Sequence, residues 1–355
     1  MPTPRLTRRD TLVGLAAAGT VLAVGAGGLA EASGWLDARR LTSSRFADRF
    51  EQVYGRHNGF RRNHAKGLAA TGTFTSNGAG AELSKASVFA PGTVPVTARF
   101  SLGGTVPDAA DQPGSVRGLG LMFQLPHGEQ WRTAMINLPV FPDNTPQGFF
   151  DRLLAAKPDP ATGQPVPSVM AAFLAEHPET AAAMKLIKAS PPSPGLSDST
   201  FRSLNAFIAT NHAGASVPVR WAAVPMDPPG SAPTGGRDYL FDDLVERMAR
   251  GPVSWRLVLT VAEPGDPTHD ATLPWPAGRR TVDAGLITVD AVLTEAPGNA
   301  RDVNFDPLVL PDGLSPSDDP LPRARSAVYA RSFERRTREP KSPSAVNVDE
   351  VTRDH

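Results

Sequence analysis

Proline and glycine, 36 and 32 of the 355 residues, cut this chain into short apolar runs, and that punctuation limits what it can become. Proline lacks the N–H that a helix interior or a central strand uses, and glycine favours turns and other left-handed backbone. Runs at 68–75, 86–90, 95–102, 118–124 and 133–141 are apolar or β-branched and bounded by Gly, Pro, Asp or Asn. They read as strands joined by turns. Strands return at 204–210, 217–224, 255–262 and 286–294. Helical spacing of apolar residues marks 35–54, where Leu41, Phe46, Phe50 and Val53 recur, and also 146–156, 167–188 and 239–250. Residues 263–280 read as a loop. A last helix is expected from Pro320, just after Ser317-Asp318-Asp319, to about Arg338, because proline is tolerated in the first helical turn. From Glu339 the chain is polar and is expected to be a flexible tail. Strands, then helices, then strands again predict an α+β fold with an antiparallel sheet or barrel.

Composition removes several kinds of chemistry. The chain has no cysteine, which excludes disulfides, thiolate zinc sites, iron–sulfur clusters and thiolate-ligated haem. Lys+Arg and Asp+Glu each number 36, so no net charge draws the chain to nucleic acid. At the N-terminus, Arg5, Arg8 and Arg9 precede an apolar run from Leu12 to Ala30, and Ala30-Glu31-Ala32 supplies small residues for cleavage before Ser33. The paired arginines resemble a Tat export signal, expected to span residues 1–32. An uncleaved membrane anchor is the other reading of the same stretch. The division expected is an export segment at 1–32, one domain at 33–338 and a polar tail at 339–355.

Two local motifs bear on chemistry. Arg325 and Tyr329 stand i, i+4, so a helix places them on one face. A phenol can bind ferric iron as phenolate, and an adjacent guanidinium favours the charged form; an ordinary pair of helix neighbours has the same spacing. The run Arg61-Arg62-Asn63-His64-Ala65-Lys66-Gly67 contains a histidine with no metal-ligand spacing around it. Neither motif decides anything alone.

Their order along the chain does. The run around His64 resembles the distal-histidine segment of the catalase superfamily. Ala98-Arg99-Phe100-Ser101 and Ser115-Val116-Arg117-Gly118-Leu119-Gly120-Leu121-Met122-Phe123 resemble the strands that follow it. Asn137-Leu138-Pro139-Val140-Phe141, then Thr145-Pro146 and Phe149, resemble the segment with the distal asparagine and haem-face phenylalanines. Phe173-Leu174-Ala175-Glu176-His177-Pro178-Glu179, Phe201-Arg202-Ser203-Leu204-Asn205-Ala206-Phe207, Asp238-Tyr239, Ser254-Trp255 and Asn304-Phe305-Asp306-Pro307 keep the family order through Pro316-Ser317 to Arg325-Ser326-Ala327-Val328-Tyr329. The resemblance covers about 45–336 and is strongest to the short, exported catalase-related peroxidases.

It implies a catalase-like antiparallel β-barrel with surrounding helices and haem b at the barrel. It places Tyr329 as iron ligand, His64 as distal base, Ser101 as the support of its ring and Asn137 as a group orienting peroxide. Arg61, Arg99 and Arg336 would pair with haem propionates, Arg325 would support the phenolate, and Phe141 and Phe149 would line the distal face. It implies peroxide and small organic electron donors as partners, no nucleic acid, no stable membrane insertion after cleavage, a periplasmic or other extracytoplasmic location, and a homodimer or higher homo-oligomer as compatible states. The activity implied is peroxidation of organic donors, with true catalase activity as the alternative.

Three departures touch the distal side. Asn63 stands where an apolar residue is usual. Asn137 lies two residues before Pro139 rather than three, and Ile136 fills the third place. Pro142 replaces an aromatic residue after Phe141.

Overall fold

The computed structural model describes residues 41–352. The expected export segment at 1–32 lies outside the described residues. Among the described residues no helix is long and apolar enough to cross a membrane.

Eight antiparallel strands close into a ring. In spatial order they are β7 (Ser216–Pro225), β5 (Phe201–Arg202), β4 (Gln130–Ile136), β3 (Arg117–Gln124), β2 (Gly92–Leu102), β1 (Gly67–Ser76), β9 (Thr281–Leu293) and β8 (Val253–Val261), and β8 pairs back onto β7. Closure leaves the ring without a free edge. Two short strands, β6 (Phe207–Thr210) and β10 (Leu314–Pro316), extend the sheet from β7. The α+β expectation and the catalase-like barrel are both met.

The barrel is filled rather than hollow at one end. Phe123 stacks on Trp131 with ring centroids 4.7 Å apart, and Trp131 meets Trp221 edge-on at 5.1 Å. Phe74, Phe100, Phe207 and Trp255 join the same core, all essentially without exposure. Rings of this size are the main apolar contribution to a core and hold one another in offset or edge-on contacts. Gly72 marks a bulge where β1 meets β9: a Cβ there would lie 2.0 Å from the Thr288 carbonyl oxygen, so only glycine lets the strands approach.

Among the described residues six helices flank the barrel: α1 (Ser43–Tyr54), α2 (Pro146–Ala155), α3 (Pro167–Glu176), α4 (Pro178–Ala189), α5 (Tyr239–Arg250) and α6 (Pro320–Arg338). Each except α1 and α5 begins with proline, which costs a helix nothing at its first turn. The same property breaks the helix expected over 167–188, because Pro178 cannot donate to the preceding turn and starts α4 afresh after His177.

Other differences from the sequence reading have equally local causes. The run at 86–90 is a 3₁₀ turn, Ser87–Phe89, whose Val88 and Phe89 are buried in the core without strand pairing. The strand expected over 204–210 begins only at Phe207, because Leu204 takes a left-handed backbone with φ 61°. The strand expected over 133–141 runs earlier, over β4, and ends at Ile136.

The expectation of a flexible tail after Glu339 also fails. Arg62 donates to both Glu339 carboxylate oxygens, at 2.9 and 2.5 Å. Burial works to raise this carboxyl, but its hydrogen bonds from Arg62 and from the Gly59 N–H outweigh it and hold it at about 2. Further on, Val346 is fully buried in the core and Val351 bridges to Val292 of β9. A few apolar residues among polar ones are enough to stitch the segment down.

Candidate active site

One face of α6 forms a wall of the principal cavity. Leu321, Arg325, Val328, Tyr329, Ser332, Phe333 and Arg336 all line it, and their spacing of three and four residues places them in one stripe. The stripe is mixed in polarity, which is why apolar periodicity alone does not single out this face. The helix starts at Asp319, whose Oδ1 accepts the Leu321 N–H at 2.9 Å as an N-cap.

Asp319 has a second task. Its Oδ2 accepts from Asn205 Nδ2 at 2.8 Å, and Asn205 Oδ1 accepts from Arg325 Nη1 at 2.5 Å. Arg325 Nη2 donates to the Ala134 carbonyl of β4 at 3.0 Å. The guanidinium is therefore fixed to the barrel one turn before Tyr329. The ring of Tyr329 packs beside Phe305, Ala69 and Ala300. Phe305 in turn lies against Gly120, where a Cβ would come within 2.9 Å of its ring.

His64 faces the same cavity from the loop before β1. Its backbone is left-handed, φ 55°, a conformation that costs a non-glycine residue energy and persists only when its surroundings enforce it. They do so here. The His64 N–H donates to Asn63 Oδ1 at 2.9 Å, and Arg99 Nη1 donates to the His64 carbonyl at 2.9 Å. Asn63 Oδ1 also takes the Gly104 N–H at 3.0 Å. Asn63, unusual by comparison with the family pattern, thus pins the histidine loop as well as lining the cavity.

The imidazole is held from the side as well. Nδ1 is 3.1 Å from Ser101 Oγ on β2. Ser101 pairs across the sheet with Gly118 of β3, and a Cβ on Gly118 would lie 2.9 Å from Nδ1 and 2.8 Å from Ser101 Oγ. Glycine makes the space in which the ring lies. Burial first, then the positive charges of Arg99, Arg325 and Arg61, lower the His64 pKa to about 3. The ring is a neutral base at ordinary pH.

The cavity edge is strongly basic. Arg99 makes a bidentate pair with the buried Glu295 at 2.8 and 3.1 Å, and Arg61 reaches the same carboxylate at 3.4 Å. Arg61 and Arg336 both donate to the Val303 carbonyl, and Arg336 also to the Arg301 carbonyl at 2.6 Å. Burial works to raise the Glu295 carboxyl, but Arg99 and Arg61 outweigh it and bring it to about 2. Burial first, then Arg99, lowers Arg336 to about 10. Glu295 faces Arg99, Arg61 and Arg301, and both Glu295 and Asp302 face Arg336, so four guanidiniums meet two carboxylates. That surplus of positive charge suits a ligand carrying acidic groups.

Phe141 and Phe149 are cavity residues with rings 5.7 Å apart, and Phe46 and Phe50 of α1 close on Phe149 at 6.0 and 6.1 Å. The cavity opens to solvent on one side, so these rings form a wall rather than a closed shell.

Asn137 is the exception among the residues singled out. It does not line the cavity. Its N–H donates to the Arg117 carbonyl at 3.0 Å, and its Oδ1 accepts the Arg117 N–H at 2.9 Å. The amide extends the β3–β4 pairing past the end of β4, and Ile136 occupies the cavity wall instead. The Asn137 Oδ1 is thus engaged by the backbone rather than by the cavity. Glu295, Asn205, Asp319, Phe46 and Phe50 belong to the site and carry no local motif. Of these, Phe46, Phe50 and Asp319 stood out in the sequence only as parts of helices and Asn205 only within the run 201–207, and Glu295 gave no signal.

The residues present fit a haem. A phenol and an imidazole face one cavity, arginines crowd one edge, and aromatic rings line another part of the wall.

Comparison with known proteins agrees. The sequence pattern of the family described as Catalase matches residues 55–348. The chain is 35% identical over 306 residues to a catalase-related peroxidase of Synechococcus elongatus, covering 85% of this chain and 90% of that one. It is 32% identical over 307 residues to a catalase-related peroxidase of Mycolicibacterium paratuberculosis, covering 84% and 95%. Among solved structures, a bacterial catalase superposes with a TM-score of 0.68 at 21% identity, over 78% of this chain and 57% of that one. Catalase A from Saccharomyces cerevisiae gives 0.67 at 21% identity, over 78% and 61%. These two structures share the fold and are considerably longer. With an eight-stranded closed barrel, a cavity between His64 and Tyr329, and a family match over most of its length, the chain belongs to the catalase family.

Proposed function

We propose that this chain is an exported haem b peroxidase that reduces hydrogen peroxide or organic hydroperoxides while oxidising small organic donors. The observation that carries the reading is the placement of a neutral, doubly braced His64 and the Arg325–Tyr329 pair on one cavity with a basic edge.

Tyr329 would hold the iron through its phenolate oxygen, with Arg325 as the adjacent positive charge. Arg61, Arg99 and Arg336 would hold the propionates. The haem, when bound, supplies the iron that accepts oxidising equivalents from peroxide and passes them to the donor. His64 moves the proton. In the tautomer whose Nδ1–H donates to Ser101 Oγ, Nε2 carries the lone pair that would take a proton from one peroxide oxygen and return it to the other as the O–O bond parts, so that water leaves rather than hydroxide. Phe141 and Phe149 keep the space beside it apolar.

A peroxidase is favoured over an efficient catalase by the wall at Ile136. An alkyl side chain offers peroxide no hydrogen bond there, and the nearby Asn137 amide oxygen is taken by Arg117. The two catalase-related peroxidases cover 84 to 85% of the chain, which supports the same choice. A storage protein has no use for the distal base. Export rests on Arg8-Arg9 and the apolar run after them; replacing both arginines with lysine should leave the protein in the cytoplasm, and unchanged export would refute the Tat route.

The deciding experiment is an absorption spectrum of the purified protein, followed by peroxide with and without a phenolic donor. A ferric tyrosinate spectrum and donor oxidation exceeding oxygen release are expected. Oxygen evolution at the rate of an efficient catalase would replace this reading with the alternative.

A further inference from the structure

One arginine on the cavity wall takes no part in the arrangement described above. Arg202 is the second residue of β5, and its backbone is fixed on both sides, opposite Ile136 of β4 and Ala222 of β7. Its side chain reaches only the Asn137 carbonyl at 3.5 Å and the Thr200 carbonyl at 3.3 Å. Both are at the outer limit of a hydrogen bond.

The other arginines of this cavity are better held. Arg61, Arg62 and Arg99 each meet a carboxylate. Arg325 and Arg336 have oxygen partners at 2.5 and 2.6 Å. Burial lowers the Arg202 guanidinium from its ordinary value, and no carboxylate among the described residues counters it. A partly desolvated cation without a counter-ion is costly unless something else supplies the charge.

The surroundings of Arg202 are apolar on the cavity side. Ile136 lies across the strand pair, and Leu204, held at φ 61°, lines the wall two residues on. Strain of this kind in a bulky residue gathers at binding sites. An apolar flank strengthens an ion contact by excluding water, and it favours an organic anion over a hydrated inorganic one.

We infer that Arg202, flanked by Ile136 and Leu204, is a binding subsite for the carboxylate of an organic substrate, so that the donor or hydroperoxide this cavity prefers is a small acid with an apolar or aromatic body. The inference rests on the peroxidase reading of the cavity and adds a substrate class to it.

The probe pair is 3-phenylpropionate and its uncharged amide, 3-phenylpropionamide, titrated calorimetrically into the haem-loaded protein and its Arg202→Gln variant. A charged hydrogen bond contributes about 1.5–3 kcal/mol, so the acid should bind about 10- to 100-fold more weakly to the variant, while the amide distinguishes the two proteins far less. Arg202→Lys should restore part of the acid binding. In turnover, the ratio of kcat/KM for 3-(4-hydroxyphenyl)propionate to that for its amide should fall by a similar factor in Arg202→Gln. Acid and amide binding alike to the wild-type protein would overturn the subsite. So would loss of haem from Arg202→Gln, seen by absorbance, since the arginine would then serve the cofactor. Peroxidase turnover of an uncharged phenol by the wild-type protein is the separate check on the reaction itself: its absence would remove the proposed function, and the calorimetry would still read the subsite.

Discussion

The two walls of the cavity are built by opposite means. The Tyr329 wall is a single helix, and its chemistry is set by spacing: Arg325, Tyr329 and Arg336 recur on one face of α6. The His64 wall is assembled from a loop in a left-handed conformation, a hydroxyl on β2, a glycine on β3 and an alkyl group on β4. A helix carries its own register, so a few residues disclose the whole face. A composite wall has no register of its own, and each member depends on strand pairing that the others set.

Removing the proposed iron ligand should have the largest effect. Tyr329→Phe should lose the ferric tyrosinate spectrum and most bound haem, while Tyr54→Phe and Tyr239→Phe keep both. Tyr54 and Tyr239 do not line the cavity. Haem bound to Tyr329→Phe with an unaltered spectrum would show that α6 does not supply the ligand, and the contrast between the walls would collapse.

His64→Ala tests the other wall. Haem should stay bound, because the substitution leaves α6 and the basic edge intact. The reaction with peroxide, followed by stopped-flow mixing, should slow about 10²–10⁴-fold, the usual contribution of a positioned acid–base group. An unchanged rate would leave the braced imidazole without a role.

Asn137 and Asn205 sharpen the comparison, since the sequence reading chose the first and missed the second. Asn205→Ala leaves Arg325 Nη1 and Asp319 Oδ2 without their partner. Unsatisfied buried groups cost about 1–3 kcal/mol, and the tyrosinate band should shift as Arg325 loosens. Asn137→Ala should cost stability of the same order by orphaning the Arg117 N–H, yet leave the peroxide reaction as it was. A large fall in peroxide rate with Asn137→Ala, measured beside its unfolding midpoint, would return that residue to the catalytic wall.

Why the sequence disclosed one wall and blurred the other follows from these particulars. Tyr329, Arg325 and Arg336 lie on one continuous helix; the Arg325–Tyr329 spacing was visible locally, and the roles of all three came from the resemblance. His64 and Ser101 were reached through the family resemblance, and the structure brings them to 3.1 Å. Asn137 stands one place off the family register, next to Ile136, and in the structure it continues the pairing just past the end of β4. Glu295 and Asn205 were missed because their partners are 196 and 120 residues away in sequence, beyond any local pattern. The strands were legible from apolar runs and turn residues, which left sheet or barrel open, and the barrel was implied by the resemblance; β5, with two residues, is too short to announce a strand. The tail after Glu339 looked unstructured because its few anchors, such as Val346 and Val351, are diluted in polar sequence.

The smallest change is expected with pH, and it tests the electrostatics of the His64 wall directly. Burial and the charges of Arg99, Arg325 and Arg61 put this imidazole at about 3, against roughly 6.5 for a histidine in an unfolded chain. The folded protein therefore refuses, between those two values, a proton that the unfolded chain accepts. By linkage, the contribution of His64 to stability is intact above about 6.5 and declines as pH falls toward 3, which is the direction for a base with a depressed pKa. The rate of the peroxide reaction behaves differently, since it needs only the neutral ring. It should show no inflection in the ordinary histidine range while the protein remains folded. Arg99 donates to the His64 carbonyl as well as supplying charge, so Arg99→Gln should both loosen the loop and raise the imidazole toward its usual value. Burial, the larger cause, remains in that variant, so the imidazole should rise only part of the way and any inflection in the rate profile should move up in pH relative to wild type. Stopped-flow rates from pH 4.5 upward, in wild type and Arg99→Gln, make the comparison; a wild-type inflection at the ordinary histidine value would show that burial and the arginines together do not depress this base.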